Sequence, residues 1–286
     1  LQSLRAQTNQ NFECIVMDGN STDNTRNIVN LFDDVVDKFI SQDDKSGADA
    51  ANKGVELSSG DFIIFLYADD YVVSNFIEDI VRVINKNKSI DYVSYGLQIQ
   101  SLKNHNISLR SYKKRNINSS LENACFKHVL NHAYNRNIFN QIGNLKHLYF
   151  DEKVFYSNDR EFLIRICVNN KKNIVIEKIL YIMQTHKDSY TGSKSNIVRI
   201  RYEHIGIAEY YLDNIILSKS QRNTLRLFKT HNLVLLLVWY VLTINFKKVV
   251  EIFNIGFKYN NIMWIYYIFS RPISELIYRL SVLKLI

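Results

Sequence analysis

Between Phe12 and Asn87 the chain alternates short apolar runs with helical patterns: FECIVMD, STDNTRNIVNLF, VVDKFIS, ADAANKGVELS, DFIIFLY and SNFIEDIVRVINKN. Strand and helix in strict turn is the pattern of βαβ units, which predicts an α/β fold with a mostly parallel sheet covered on both faces. Such sheets bind ligands beyond the carboxyl ends of their strands. The polar residues that follow each apolar run, Asp18, Asp43 with Asp44, and Asp69 with Asp70, are therefore expected along one edge.

Further on the period changes. YVSYGLQI and NISLRSY, either side of KNHN, alternate as a hairpin or ribbon does, and KKRN at 113–116 is polar enough for a loop. A helix is expected around Ser119–His128, a short strand near His132–Tyr134, and a helix over RNIFNQIG ending on Gly143. Asp159 opens another helix, DREFLIRICVNN, and NIVIEKILYIMQ reads as one or two strands. From about Ile197 the pattern is helical. With one proline in 286 residues the boundaries are soft. They are placed at 1–200 for an α/β domain, divided into a donor-binding half (1–97) and an acceptor-binding half (98–200), and at 201–286 for a helical region.

Composition excludes several classes. Apolar residues make up 47 % and charged residues 22 %, so the chain has the surface to form a core and is not disordered. Cys14, Cys125 and Cys167 are too few and too scattered for a disulfide framework or a zinc site, which favours a reducing compartment. A net charge of +8 calls for an acidic partner: nucleotide phosphates, an anionic leaflet or nucleic acid. The positive charge is dispersed and carries no recognition motif, so nucleic acid ranks last. The chain starts with Leu inside the amphipathic run LQSLRAQT, with no signal peptide or lipidation motif before it, and a truncated first element is expected.

Three acidic clusters can carry chemistry. DGNSTDNT puts Asp18 at a strand tip and Ser21, Thr22 or Asp23 at a helix cap; a tight turn and a cap account equally for those residues. SQDDKSGADAANKG places Asp44 before a helix whose N-terminus can hold phosphate oxygens, with Asp49 and Asn52 or Lys53 one turn apart on it. In GDFIIFLYADDY a buried strand ends in Asp69 and Asp70, adjacent carboxylates that repel unless a cation answers them. Oxygen ligands of this kind suit Mg²⁺ or Mn²⁺, with phosphates and water completing the shell; a pair of N-cap residues before SNFIEDIV is the structural alternative.

Taken in order, DGNSTDNT, DDKSGADAANKGVELSSGD, FIIFLYADD and SNDREFLIR resemble the family 2 glycosyltransferases, especially those that build bacterial surface polysaccharides. The resemblance covers roughly residues 1–200. It implies a GT-A fold, Rossmann-like, whose opening strand is missing here. It implies an inverting transferase that moves a sugar from a nucleotide carrier, UDP-linked by expectation, to an acceptor hydroxyl.

By the same resemblance Asp18 contacts the base or ribose, and Asp44, Asp49, Asn52, Lys53 and Asp70 line the donor pocket. Asp69 takes the place of the metal-binding carboxylate of the family's Asp-X-Asp motif, while Tyr67 stands where many members have the first Asp. Asp159, in a segment that resembles the family's acidic motif, is implied as the general base. It would take a proton from a weak hydroxyl nucleophile as a metal neutralises the departing diphosphate. A helix-capping carboxylate is the other reading of Asp159.

His132 and Arg160 are acceptor-side candidates, Lys113–Arg115 are candidate holders of an acceptor phosphate, and His186 with SYTGS (189–193) resembles a loop that closes over the donor. A lone histidine is more often packed, and a charge run more often merely solvated. The C-terminal region mixes apolar runs with Lys247, Lys248, Lys258, Arg271 and Lys284, and its longest apolar run, 233–244, has 12 residues, fewer than the roughly 20 of a spanning helix. Core helices, or interfacial helices on an anionic membrane surface, fit better. The expected partners are thus a nucleotide sugar, a glycan or lipid-linked acceptor and an anionic leaflet, and the expected place is the inner face of the cell membrane. A nucleotidyltransferase and a non-catalytic membrane scaffold are the competing readings.

Overall fold

The computed structural model describes residues 1–103, 106–111, 121–126, 131–142, 156–185 and 194–256. In chain order the elements are α1 (Gln2–Arg5), β1 (Ile15–Asp18), α2 (Thr25–Asn30), β2 (Lys38–Ser41), α3 (Gly47–Leu57), β3 (Phe62–Ile64), β4 (Tyr71–Val72), α4 (Phe76–Lys86), β5 (Tyr92–Lys103), β6 (Asn106–Ser111), α5 (Leu121–Phe126), β7 (His132–Asn135), α6 (Asn137–Ile142), α7 (Asn158–Val168), β8 (Asn173–Thr185), α8 (Lys194–Asn214) and α9 (Lys219–Leu242). Residues 246–256 form a further helix. The chain divides into two compact units, Leu1–His186 and Lys187–Ile286. Residue 200, the expected edge of the α/β domain, falls inside the continuous helix α8, so the division comes earlier, before that helix begins.

The α/β class is as expected, but the sheets are mixed. β1 and β2 pair in parallel as a two-stranded sheet, while a six-stranded sheet runs β3-β7-β5-β8-β4 with β6 also on β5. Within it only β5 and β8 run parallel; β3–β7, β4–β8, β5–β6 and β5–β7 are antiparallel. Apolar runs report that a strand is covered on both faces, which holds for either direction, so direction came from the connections and not from the pattern. Strands β5 and β6 form the ribbon anticipated from their alternation, closing at the pair Lys103–Asn106.

Period-two alternation along β5 sorts the core into two layers. Val93, Tyr95 and Leu97 face Phe76, Ile77 and Ile80 of α4, with Phe76 meeting the Tyr95 ring edge-on at 5.1 Å between centroids. From the other face Tyr92 stacks on Tyr134, whose ring meets Phe139 of α6 and Phe162 of α7. Phe139 and Phe162 stack at 5.4 Å. Removing a ring such as fully buried Phe162 costs about 3–5 kcal/mol, so this layer holds α7 and its first residues firmly on the sheet. At Gly96 the β5–β8 register shifts, and a Cβ there would lie 2.6 Å from the Lys178 carbonyl oxygen, which only glycine permits.

In the second unit α8 and α9 pack through Ile205, Leu233, Val234, Leu236, Leu237 and Tyr240, joined by Ile252. Asn232, fully buried, accepts from Arg201 Nη1 at 3.0 Å, lies 3.1 Å from His204 Nδ1, and donates to the Phe228 carbonyl. Ser218 and Gln221 form a capping box that starts α9. By length and composition α9 could cross a membrane, yet 61 % of its most apolar window is buried against the rest of the chain, the state of a core helix.

Candidate active site

The tip of β1 ends in Asp18, whose carboxylate accepts from the Ser21 backbone N–H (3.1 Å) and hydroxyl and from the Ser41 hydroxyl on β2 (2.7 Å). Those hydroxyls hold its pKa below the usual carboxylate range, so it is an anion at neutral pH. The next two residues bring a second loop alongside. Asn20, at φ 61°, donates its amide to Asp43 at 3.0 Å. A Cβ on Gly19 would stand 2.7 Å from an Asp44 carboxylate oxygen, which shows how closely the two loops approach. Asp18 and Asp44 therefore share one rim, as the strand-tip reading anticipated.

Helix α3 begins on the same rim. Ser46 caps it, accepting from the Asp49 N–H at 3.3 Å. Asp49 is buried; its Oδ2 accepts from the Lys45 N–H at 3.1 Å and meets Lys53 Nζ at 2.9 Å. Lys53 in turn reaches the Asp43 carbonyl at 3.4 Å. The Lys53 ammonium, with the Lys45 N–H, holds Asp49 below its ordinary pKa. Two residues expected to touch a donor thus bind each other and fix the 43–46 loop, while Asn52 lies half-buried on the same helix.

The pair after β3 splits. Asp69 is exposed, and Asp70 is only 9 % exposed. Asp70 closes a turn through its N–H to the Tyr67 carbonyl (3.1 Å), and both its oxygens are engaged by β8: Tyr181 donates its hydroxyl at 2.6 Å and the Gln184 N–H donates at 2.8 Å. The Tyr181 oxygen also accepts from the Tyr67 N–H at 3.5 Å. Burial raises the pKa of Asp70, Tyr181 and Gln184 oppose that rise, and the charge of Asp69 adds to it. The expected donor ligand is foremost an anchor that presents Asp69 outward.

Asp159 sits in the first turn of α7, where helix N–H groups favour a negative charge. The Asp159 N–H donates to Asn158 Oδ1, and Asp159 Oδ1 accepts from the Arg160 N–H, each at 2.7 Å. Tyr67 connects it to the other acids. The ring is 44 % exposed, yet its phenol is driven upward in pKa by the crowding around it and by the negative charges of Asp159 and Asp70. Residues 67, 70 and 159 therefore share one electrostatic neighbourhood although α7 is remote from β3 in sequence.

The two acceptor-side candidates lie elsewhere. Arg160 turns to α5, donating from Nη1 to the carbonyls of Ala124 (2.6 Å) and Cys125 (2.9 Å) in its last turn, and so caps that helix. His132 is buried in β7 between Tyr92 and Tyr134; Nδ1 lies 2.9 Å from Ser94 Oγ and Nε2 has no partner. Burial lowers its pKa to about 3, which keeps it neutral in the sheet core. The strand HAYN is covered on both faces, with His132, Ala133 and Tyr134 all buried. Lys113–Arg115, His186 and 189–193 fall outside the described residues.

Tyr181, Gln184 and Ser41 escaped the sequence reading. A tyrosine inside the apolar run ILYIM was the available signal, because a buried phenol needs a hydrogen-bond partner. Among the described residues no three His, Cys, Asp or Glu side chains converge to hold a metal ion. An exposed Asp69 beside a buried Asp70 whose oxygens are held by Tyr181 and Gln184 fits Mg²⁺ or Mn²⁺ only as one protein carboxylate in a shell completed by diphosphate and water.

Comparison with known proteins agrees with this geometry. The model of the family described as Glycosyl transferase family 2 matches residues 1–143, half of the chain. A PGL/p-HBAD biosynthesis glycosyltransferase of Mycobacterium bovis is 28 % identical over 208 residues, covering 69 % of this chain and 73 % of that protein. The GalNAc(5)-diNAcBac-PP-undecaprenol beta-1,3-glucosyltransferase of Campylobacter jejuni is 24 % identical over 229 residues, 77 % of this chain and 71 % of that one. Among solved structures, S. aureus TarS 1-349 in complex with UDP-GlcNAc superposes with a TM-score of 0.62 at 19 % identity, over 79 % of this chain and 66 % of that chain. The mannosyltransferase PcManGT of Pyrobaculum calidifontis, in complex with GDP-Man and Mn²⁺, gives 0.58 at 14 % identity, over 80 % and 63 %. This chain thus spans just under two thirds of those structures' length, and at such identity they speak for the fold, which is GT-A. With the family match across the donor-side strands and the acids arrayed at their tips, the chain belongs to glycosyl transferase family 2 and is a glycosyltransferase.

Proposed function

We propose that the protein transfers a sugar from a UDP-linked donor to a hydroxyl of a glycan or lipid-linked acceptor, with inversion, in the assembly of a cell-surface polysaccharide. The observation that carries this reading is the split of the pair after β3, with Asp70 buried and held by Tyr181 and Gln184 and Asp69 turned outward; the charges of Asp70 and Asp159 both act on Tyr67. One carboxylate belongs to the turn that presents Asp69, and the other stands at a helix start. Opposed acids of this kind suit a single displacement, one side meeting the donor diphosphate and the other the incoming hydroxyl.

In this reading Asp18, already ionised and held by Ser21 and Ser41, accepts from the ribose or base. The rim of Asp44 and the start of α3 lie beside the phosphates, and the Asp49–Lys53 pair keeps that rim in place. Asp69 supplies one oxygen to Mg²⁺ or Mn²⁺, which when bound offsets charge on the departing diphosphate. Asp159 takes the acceptor proton at a carboxylate oxygen. Tyr67, neutral where many relatives carry an acid, contributes a hydroxyl in place of a charge. The Campylobacter relative, named for an undecaprenol-linked glycan, supports a lipid-linked acceptor and a peripheral location on the inner face of the cell membrane.

A panel of nucleotide sugars with Mn²⁺, read by thermal shift, identifies the donor through selective stabilisation. NMR of the product then reports the anomeric configuration. Retained configuration, or stabilisation by no nucleotide sugar, overturns the proposal.

A further inference from the structure

The excess positive charge is confined to one unit. Residues 1–186 hold 22 Lys and Arg against 22 Asp and Glu, whereas Lys187–Ile286 holds 14 against 6, the whole of the net +8. The catalytic acids lie in the neutral unit. Fourteen cations against six acids in the second unit call for an anionic partner.

The same unit carries a run of exposed apolar side chains. Val241, Leu242, Ile244, Phe246 and Val250 all face solvent around the turn that joins α9 to helix 246–256, Ile244 at 73 % and Phe246 at 71 % exposure. Helix 246–256 carries two apolar stripes, where an ordinary surface helix has one. Val249, Ile252 and Ile255 pack on the α8–α9 core, while Phe246 and Val250, one turn apart, point outward beside exposed Lys247. Lys248 is paired with Glu251, and beside it Lys247 is exposed.

The turn itself is unusual for water. Its backbone closes α9 with the Asn245 N–H donating to the Tyr240 carbonyl (2.9 Å) and the Ile244 N–H to that of Val241 (3.1 Å). This geometry puts Ile244 at φ 57°, a left-handed position that Gly or Asn takes readily and a β-branched residue resists. A strained isoleucine that is also exposed gains nothing from solvent on either count.

We infer that the turn 241–250 is a membrane-insertion tip, whose Ile244, Leu242 and Phe246 enter the headgroup–acyl boundary of an anionic bilayer while Lys247 and the cationic unit face the lipid phosphates. Apolar side chains supply the insertion and the +8 unit supplies the attraction, the two signals that stable peripheral binding requires. The tip deepens the peripheral location proposed above and rests on it.

Binding of the full chain to vesicles of equal parts phosphatidylglycerol and phosphatidylcholine, against pure phosphatidylcholine, tests the tip. The parent is expected to bind the anionic vesicles and to be released by salt. Ile244→Asn is expected to weaken that binding by about tenfold while the melting temperature in solution holds or rises, because asparagine suits the left-handed backbone. Phe246→Ser is expected to weaken binding similarly, with transfer to a soluble acceptor unchanged in both variants. A fall in melting temperature with Ile244→Asn means that another part of the chain covers the residue, and a concentration-dependent doubling of mass abolished by the same change means a second copy does; either overturns the inference. So does a parent that ignores anionic vesicles. Transfer to the soluble acceptor is measured in parallel, so a failed tip is distinguished from a failed glycosyltransferase mechanism.

Discussion

The rim around Asp18 and Asp49 and the cluster of Tyr67, Asp69, Asp70 and Asp159 are both acidic, but they treat their charge oppositely. On the rim Asp18 and Asp49 are answered from within: serine hydroxyls hold Asp18, and Lys53 holds Asp49, so both pKa values fall. In the cluster burial and like charge push the Asp70 and Tyr67 values up. An acid already ion-paired or hydrogen-bonded on a rim holds shape, whereas an exposed Asp69 next to a buried carboxylate of raised pKa suits a cation or a proton. The proposed function gives recognition to the rim and chemistry to the cluster, and five measurements can break or sharpen that contrast.

The largest effect is expected from Asp159→Asn, which removes the proton acceptor. It should cut kcat by about 10³ with UDP affinity within about twofold. Transfer at parental rate would detach α7 from the cluster. Next comes Asp69→Ala, for which the Mn²⁺-dependent part of UDP affinity, read by calorimetry with and without the metal, should vanish while metal-free affinity persists. A parent that binds UDP equally with and without Mn²⁺ would leave the cluster without its cation.

On the rim, Asp18→Asn should raise the donor KM by about tenfold with little change in kcat, the signature of lost binding common to ground and transition states. A kcat loss instead would move Asp18 into the chemistry. Tyr181→Phe deletes the hydroxyl donor to Asp70 and should cost about 1–3 kcal/mol in denaturant unfolding, with a higher Mn²⁺ requirement because the Asp69 turn loosens. Unchanged stability would mean that Gln184 alone suffices as the anchor.

The smallest effect belongs to a purely structural acid. Glu13 accepts from Lys38 (2.8 Å) and the Ser59 N–H (2.7 Å), which lower its pKa from 4.5 to about 2. Because the folded value is depressed, its stabilisation is complete above about pH 4.5 and is lost as pH falls toward 2. Glu13→Gln should therefore lower stability at pH 7 by about 1 kcal/mol or less, with the gap to the parent closing in acid and activity unaffected. An activity loss would show that the β1–β2 seam couples to the rim.

Legibility in the sequence followed how local each feature is. The β1–α2–β2–α3–β3 order, the Asp18 tip, the Ser46 cap and the start of α7 all depend on neighbours within a few residues, and all were readable. The sheet's mixed direction was not, since β3 finds β7 and β4 finds β8 across long stretches of chain. Nor was the division of labour within Asp69–Asp70. Two adjacent identical residues look alike in a string, and only Tyr181, 111 positions away, shows that one is an anchor. The contacts of His132 and Arg160 were hidden for a similar reason: an imidazole or a guanidinium in a motif has no direction until β5 and α5 are packed against it.

By itself, then, the sequence determined the α/β alternation, the positions of the strand-tip acids and the excess of positive charge, because periodicity, capping and composition act over short range or on the whole chain. Only the tertiary structure decided which acids are already satisfied, that Asp159 shares its field with Asp70 through Tyr67, and that the charge and the exposed apolar turn occupy one unit. Desolvation and Coulomb energy depend on what burial brings together, and distance along the chain does not report it.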